Sequence, residues 1–374
     1  MRTTKPIGGR RTGAGLSHAL IVIALFLCPF FANVSLGAVA CSEPTGSYTT
    51  TFLTNSDTYT SIPFTAAPLF CGTVQSTSSN AITVQGAPGW TSGQWAIPST
   101  PNGYYPNYVV LTTGAVEGAY FIITNNTADT LVIDLLGQCY DLTGVNTGDS
   151  LAIIPFWTLG TIFPGGSGII PSVNSLASGR RTQIIFPAFC PVCNLEPTSI
   201  YYFYNNAWRR AFPATSPAFS FNDVVVLPDQ YFIVRQPTNG SSQFTIGGNV
   251  VQYAQRTCLY WESFEDVTNQ DNLVADYHST TQTLDQVNLA AAFAASNPGT
   301  NPPAINDLLF VFDNTVMKMN KVPAHIYFYN VDHWADLNNP PYSVDHGCDP
   351  VFIPGTGVTV RKRPGSTQVW VIPP

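Results

Sequence analysis

The stretch that decides the fold is IYYFYNNAW, from Ile200 to Trp208, because the chain repeats it as IYFYNVDHW, from Ile326 to Trp334. Each copy reads as a short aromatic strand that ends in a turn containing Asn or Asp. The two tryptophans lie 126 positions apart, and the same offset relates Leu227-Pro228 to Ile353-Pro354 and Val234-Arg235 to Val360-Arg361. A register that holds over this length indicates an internal duplication.

The duplication predicts two β modules that share one core. A unit of a few short strands cannot bury its own apolar face, whereas two related units that pack together can. Each unit opens with an apolar strand, Gln183-Ile-Ile-Phe186 in the first and Leu308-Leu-Phe-Val-Phe312 in the second. We therefore predict β module copy 1 over residues 166–250 and copy 2 over residues 305–374.

The segment between the copies, residues 251–304, differs in composition and residue pattern from the rest of the chain. Leu289 and Phe293 stand at i and i+4 in an Ala-rich run, and Asn297-Pro298-Gly299 supplies a helix stop. This segment is predicted to be a short α-helical insertion followed by a linker.

The part of the chain before copy 1 consists of short β runs, such as Tyr108-Val-Val-Leu111 and Leu131-Val-Ile-Asp134. Runs that recur about every ten residues, with Asn, Gly, Asp and Ser between them, are typical of a sandwich or barrel. We predict an antiparallel β-barrel or β-sandwich domain over residues 41–165, and a mainly β fold for the whole chain.

The first forty residues have the pattern of a cleaved leader. They hold four bases and no acids, an apolar run from Ala19 to Val34, and the small-residue site Ala38-Val-Ala40 before Cys41. Residues 1–40 are therefore predicted to be a signal peptide, with a periplasmic, outer-membrane-associated or extracellular destination. No other stretch is long and apolar enough to span a bilayer. Lipidation of Cys41 is not favoured, because Ala38 stands where lipoproteins usually carry Leu.

Composition argues against nucleic acid as a partner. The chain carries 15 Lys and Arg against 22 Asp and Glu, so removal of the four leader bases leaves a net charge near −11. Phosphate binding requires a basic stripe, which this chain lacks. Hydrophobic residues make up 45% and charged residues only 10%, a balance that suits an exported β-rich protein with sizeable cores.

Seven cysteines remain after the leader, and disulfides persist in exported chains. The predicted pairings are Cys71 with Cys139, Cys190 with Cys193, and Cys258 with Cys348, although spacing alone leaves the connectivity open. A redox role for Cys190-Pro-Val-Cys193 is the alternative. It would need the helix N-terminus that lowers a thiol pKa in thioredoxin-like proteins, and no helix is predicted there.

The densest group of His and Asp lies in copy 2 and comprises His325, Asp332, His333, Asp336, Asp345, His346 and Asp349. Such side chains can bind divalent ions. The spacing fits no closed metal motif, and copy 1 has Ala207 where copy 2 has His333. We predict a solvated loop in this region, with no metal and no cofactor.

Aromatic side chains beside turns give a ligand-binding hypothesis. Trp208, Trp334, Tyr204 and Tyr329 could present flat faces on which sugar rings stack. Exposure of both tryptophans would support a carbohydrate-binding protein, whereas burial would make them core residues. A polysaccharide-acting hydrolase is the second alternative and would need two carboxylates about 5–10 Å apart.

Phrases spread over nearly all of the mature chain resemble an exported β-rich family that is common in Verrucomicrobia. They are Ser61-Ile-Pro-Phe64, Gly72-Thr-Val74, Ile82-Thr-Val84, Gly89-Trp-Thr91, Gln94-Trp95, Ile123-Thr-Asn-Asn-Thr127 and Ile154-Pro-Phe-Trp-Thr-Leu-Gly160. The family has no assigned activity, so the resemblance implies export but no functional residues. We expect a non-catalytic structural or adhesive protein of the cell envelope or extracellular space, with polysaccharide or envelope proteins as partners.

Overall fold

The computed structural model describes residues 43–96, 102–135, 138–188, 197–237, 240–261, 269–299, 304–363 and 365–374. These residues form a mainly β fold, as predicted, with one four-residue α-helix, α1 (Leu159–Ile162). The strands up to α1 are β1 Thr45–Phe52, β2 Asp57–Thr60, β3 Phe70–Ser78, β4 Ala81–Val84, β5 Asn107–Leu111, β6 Tyr120–Asn126, β7 Thr130–Asp134, β8 Ser150–Pro155 and β9 Trp157–Thr158.

The strands after α1 run to the end of the described chain. They are β10 Gln183–Phe186, β11 Ser199–Tyr204, β12 Ala207–Phe212, β13 Val225–Val226, β14 Phe232–Arg235, β15 Ser242–Asn249, β16 Gln255–Leu259, β17 Gln270–Ala275, β18 Leu308–Val311, β19 His325–Asn330, β20 His333–Asp336, β21 Gly357–Lys362 and β22 Gln368–Ile372.

Strands β3 to β8 form a closed barrel in the order β3-β4-β7-β6-β5-β8. Alternation along β4 buries Ile82 and Val84 and leaves Ala81 and Thr83 partly exposed. Burial of each large aliphatic side chain contributes about 1.5–3 kcal/mol. The predicted barrel is therefore confirmed, but its strands lie between residues 70 and 155 rather than throughout 41–165.

Two five-stranded sheets have the same strand order, β12-β11-β10-β14-β2 in one and β20-β19-β18-β21-β17 in the other. A two-stranded ribbon accompanies each sheet, β1-β15 and β16-β22 respectively. We call β1, β2, β10, β11, β12, β14 and β15 repeat 1, and β16 to β22 repeat 2. The whole barrel is inserted between β2 and β10 of repeat 1.

The predicted module boundaries therefore need correction. Copy 1, placed at 166–250, lacks its first two strands, because β1 and β2 precede the barrel in the chain. Copy 2, placed at 305–374, likewise lacks β16 and β17, which lie in the segment predicted to be helical. Sequence similarity is confined to the later strands of each repeat, so the early strands could be assigned only from their pairing.

A capped turn precedes the first central strand of each repeat. In repeat 1, Thr158 caps α1 by accepting a hydrogen bond from the backbone N of Thr161 at 3.2 Å. In repeat 2, Thr283 accepts from the backbone N of Gln286 at 3.4 Å, and the Gln286 side chain accepts from the backbone N of Thr283 at 2.8 Å. These reciprocal contacts resemble a capping box.

Among the described residues of the predicted α-helical insertion, the helical element is a 3-10 helix at Leu289–Ala292. Asn288, immediately before it, adopts a left-handed conformation with φ 54°. A left-handed residue cannot continue a right-handed α-helix, so the run cannot extend back to Asp285. Leu289 is instead fully buried in the core of repeat 2.

An ion pair occupies the same place in both repeats. Arg235 of β14 donates to Asp57 of β2 through Nε and Nη2, at 2.7 Å each. Arg361 of β21 donates to Asp271 of β17 in the same way, at 2.7 and 2.9 Å. Such two-pronged arginine–carboxylate contacts are stronger and more directional than neutral hydrogen bonds.

The described residues belong to one compact unit, within which the two repeats pack against each other. The ring of Tyr59 in repeat 1 stacks on Phe312 of repeat 2, with 3.8 Å between ring centroids. The hydroxyls of Tyr231 and Thr359 share a buried hydrogen bond of 2.8 Å. A cavity of about 440 Å³ remains beside these contacts.

A disulfide between Cys139 and Cys258, with Cα atoms 5.6 Å apart, links the barrel to β16. The predicted pairings of Cys71 with Cys139 and of Cys258 with Cys348 are therefore wrong, and Cys348 is free and exposed. The physical reason is that β16 runs along the barrel: Arg256 Nε donates to the backbone O of Glu117 at 2.8 Å.

Several predictions lie outside the described residues, namely the signal peptide at 1–40, the lipidation question at Cys41, and the pairing of Cys190 with Cys193. Within the described ranges, no helix has the length and apolar character needed to cross a bilayer.

Candidate functional site

The tryptophans predicted as sugar-stacking platforms are core residues. Trp208 and Trp334 are both 0% exposed. In β11 and β12 Phe203 pairs with Trp208, and in β19 and β20 Tyr329 pairs with Trp334, so each indole points into the core of its own repeat. The prediction that they bind sugar is wrong, because strand register rather than proximity to a turn sets their direction.

The two tyrosines named with them give no exposed platform either. Tyr204 and Tyr329 are both partly buried. The Tyr329 ring packs edge-on against Trp334, with 5.4 Å between centroids. Aromatic stacking in this part of the sequence therefore serves the cores.

The repeats differ around one shared tyrosine, Tyr201 in repeat 1 and Tyr327 in repeat 2. Tyr201 packs against Phe221, and the guanidinium of Arg210 lies over the Phe221 ring at 4.7 Å. The backbone N of Phe221 donates to the carbonyl of Trp208 at 2.9 Å, just as the backbone N of His346 donates to that of Trp334.

These hydrogen bonds identify His346 as the counterpart of Phe221. Strand pairing likewise identifies Asp336 as the counterpart of Arg210, because Tyr327 faces Asp336 as Tyr201 faces Arg210. Repeat 2 therefore replaces an apolar and cationic contact with a histidine and a carboxylate.

His325 and Asp336 form the first polar pair of repeat 2. Nδ1 of His325 lies 2.8 Å from Oδ2 of Asp336. Asp336 is almost fully buried, and its other oxygen accepts from the backbone N of Asn338 at 3.0 Å. The imidazole of His325 is 52% exposed, so Asp336 orients a ring that solvent can reach.

Asp349 links two further rings. Its Oδ2 accepts the hydroxyl of Tyr327 at 2.8 Å and lies 2.9 Å from Nδ1 of His346. Burial, followed by the nearby carboxylate of Asp349, raises the pKa of the Tyr327 hydroxyl, so Tyr327 acts as a neutral donor. The Tyr327 and His325 rings are parallel to within 14°, with centroids 5.6 Å apart.

This group borders a cleft of about 690 Å³ between the two repeats. One wall is β1 of repeat 1, with Tyr48, Thr50 and Thr51. The opposite wall carries His325, Tyr327 and Asp349, and the loop Asp313–Thr315 also lines the cleft. We call this space the inter-repeat cleft. Its volume lies within the range of small-molecule sites.

The fixed charges that line the inter-repeat cleft are negative. Asp313 and Asp349 contribute carboxylates, and none of its described lining residues is Lys or Arg. Hydrogen bonds from the Thr315 hydroxyl and backbone N lower the pKa of Asp313, so its carboxylate is ionised at neutral pH. The lining therefore disfavours anionic ligands.

The His and Asp residues weighed as metal ligands divide into separate pairs. His333 bonds to exposed Asp332 at 2.8 Å and to the carbonyl of Tyr342 at 2.9 Å. Among the described residues, no three His, Cys, Asp or Glu side chains come together as a metal site would require.

Comparisons with protein-family models, with curated proteins and with solved structures found no match. The inter-repeat cleft is therefore interpreted from its own chemistry. Sequence reasoning found the polar residues of repeat 2 but missed the wall formed by β1. Alignment of the two repeats offers a signal for the site, because the basic Arg210 of repeat 1 corresponds to the acidic Asp336 of repeat 2.

Proposed function

We propose that this chain is an exported, non-catalytic structural or adhesive protein of the cell envelope or extracellular space. The observation that carries the proposal is that three parts, the barrel and the two repeats, are held together by covalent and packing contacts. The barrel is inserted into repeat 1 and bonded to repeat 2 through Cys139 and Cys258. The repeats contact each other through Tyr59 and Phe312. Such bracing suits a protein that must keep its shape while it is attached to a surface.

The sequence supports the exported location. Residues 1–40 have the pattern of a signal peptide, and disulfides persist mainly in oxidising compartments. The resemblance to an exported family common in Verrucomicrobia agrees with this and remains a prediction. The excess of acidic residues favours polysaccharide or envelope proteins over nucleic acid as partners.

Fractionation tests the location. The full chain with a C-terminal tag is produced in a Gram-negative host, and we expect a processed form in the periplasm, outer membrane or medium. An unprocessed chain retained in the cytoplasm would contradict the proposal.

Retention on surfaces tests the adhesive role. Purified oxidised protein is incubated with insoluble polysaccharides and with isolated envelope material, and its depletion from solution is measured. We expect depletion by at least one of them, with reduced and heat-unfolded protein as the control. Equal depletion of the folded and unfolded forms by every material would count against specific adhesion.

A further inference from the structure

We infer that the inter-repeat cleft binds a neutral carbohydrate chain, an inference that rests on the adhesive function proposed above. The cleft is built from both repeats, so it exists only when they are assembled. The adhesive protein would then bind a specific class of ligand, and the binding site would be the cleft and not the buried tryptophans.

The shape of the cleft is fixed by contacts outside it. Asn314, in the lining loop, accepts from the backbone N of Tyr59 at 3.0 Å and donates to the Tyr59 carbonyl at 2.9 Å. This amide therefore ties a loop of repeat 2 to strand β2 of repeat 1. Preorganised walls reduce the entropy lost when a ligand binds.

The cleft offers a planar face of the kind that sugar rings contact. His325 stacks on Tyr327 and keeps about half of its side chain exposed, while Asp336 fixes the orientation of the imidazole. Tyr48 contributes a second, partly buried ring from the opposite wall. Apolar ring faces flanked by polar groups suit the mixed surface of a sugar.

Hydrogen-bonding groups of the cleft match hydroxyl groups. Asp313 uses Oδ1 for both the hydroxyl and the backbone N of Thr315, and no described residue bonds to its Oδ2. Thr50 of β1, on the same strand face as Tyr48, adds a hydroxyl-bearing side chain to the lining. Carboxylates accept strong hydrogen bonds from neutral hydroxyl donors.

Charge decides between sugar classes. Two carboxylates and no described cation among the lining residues would repel uronic acids and sulfated chains. A basic peptide would match the charge of the lining, but Asp349 already accepts the Tyr327 hydroxyl and bonds His346, so of the two lining carboxylates only Asp313 is left to pair with a cation. A neutral polyhydroxylated ligand therefore fits best.

The test is isothermal titration of the oxidised protein with neutral hexasaccharides of glucose, mannose and xylose. A galacturonic acid hexamer and a hexalysine peptide serve as charged comparisons. His325→Ala and Thr50→Trp alter the two walls of the cleft, Thr50 being on the same face of β1 as Tyr48. Matched controls are His333→Ala, an imidazole bonded to Asp332 elsewhere in repeat 2, and Thr49→Trp, an exposed β1 position outside the cleft.

We expect one neutral hexasaccharide to bind, with affinity reduced about tenfold or more by each cleft variant and unchanged in the two controls. Absence of binding by every neutral sugar, binding of only the charged ligands, or equal loss in cleft and control variants would overturn the inference. If a surface depletes the wild-type protein and the cleft variants from solution equally, the adhesive function is supported and the carbohydrate site in the cleft is contradicted. If folded and unfolded protein are depleted alike, adhesion itself fails.

Discussion

Arg235 and Asp57 face each other across neighbouring strands, with Nε 2.7 Å from Oδ1, and Arg361 and Asp271 repeat this contact at the same distance. The aspartates belong to strands that show little sequence similarity, and Asp57 is separated from its arginine by the whole barrel. The matching ion pairs therefore show that the duplication extends to the early strands of each repeat.

Removal of Arg235 should destabilise the protein strongly. Asp57 is only 2% exposed, so Arg235→Gln leaves a buried carboxylate without its cation. We expect a loss of about 3 kcal/mol in the free energy of unfolding, measured by urea denaturation. Arg181→Gln, at a partly exposed arginine without a described side-chain contact, should change stability by less than about 0.5 kcal/mol. Similar losses in both variants would contradict the role given to the pair.

The two core tryptophans should respond differently to replacement by Phe. The indole N–H of Trp208 donates to the carbonyl of Leu159 at 3.0 Å, whereas that of Trp334 has no hydrogen-bond partner among the described residues. Trp208→Phe should therefore cost about 1 kcal/mol more than Trp334→Phe in urea unfolding. Replacement of either by Ala should cost about 3–5 kcal/mol, because each leaves a large cavity. A smaller cost for Trp208→Phe would rule out this interpretation.

Asp229 should make stability depend on pH. Burial raises its pKa to about 6, and the hydroxyl of Tyr120 donates to its Oδ1 at 2.8 Å. Since the folded pKa exceeds the unfolded value of 3.8, the folded state holds the proton more tightly. Stability should therefore fall as pH rises from about 4 to about 6, by up to about 3 kcal/mol from this group.

Asp229→Asn tests that dependence, because the amide keeps an oxygen acceptor for Tyr120 but cannot ionise. The difference in unfolding free energy between variant and wild type should grow in favour of the variant across this pH window. Urea unfolding at half-unit steps of pH measures it. Parallel curves would show that Asp229 does not titrate between the two states.

The cysteines should react unequally. Among the described cysteines Cys348 is free and exposed, so Ellman's reagent should label it in the native protein, and labelling should fall by one thiol in Cys348→Ser. Cys139 and Cys258 should appear as one cross-linked peptide in a non-reduced digest.

Cys258→Ser opens a bridge with a sequence separation of 119 and should lower the free energy of unfolding by about 4 kcal/mol. A peptide that links Cys258 to Cys348 would contradict the fold.

The barrel could be predicted from sequence because its strands are consecutive and alternate in a regular way, as in Ala81–Val84. The repeat was visible where aromatic strands preserve their residues, at Tyr201 and Tyr327. The sequence did not show that β1 and β2 belong to repeat 1, because their partners β15 and β14 lie beyond the barrel in the chain. Pairing over such distances leaves no local pattern in the sequence.

The candidate site was only half predictable for the same reason. His325, Asp336, His346 and Asp349 stand close together in the chain, so sequence alone marked them as a group. Their division into pairs depends on the register of β19 with β20, and the opposite wall comes from β1.

The insertion of the barrel between β2 and β10 sets an order of events during synthesis. The barrel can close as soon as residues 70–155 have emerged, whereas β1 must wait for β15 and β2 must wait for β14. Domains generally fold as units from the N-terminus, and pairing between distant strands is slow. During that interval β1 and β2 remain unpaired edges that neighbouring nascent chains can engage. The first strands to be made are thus among the last to find their partners.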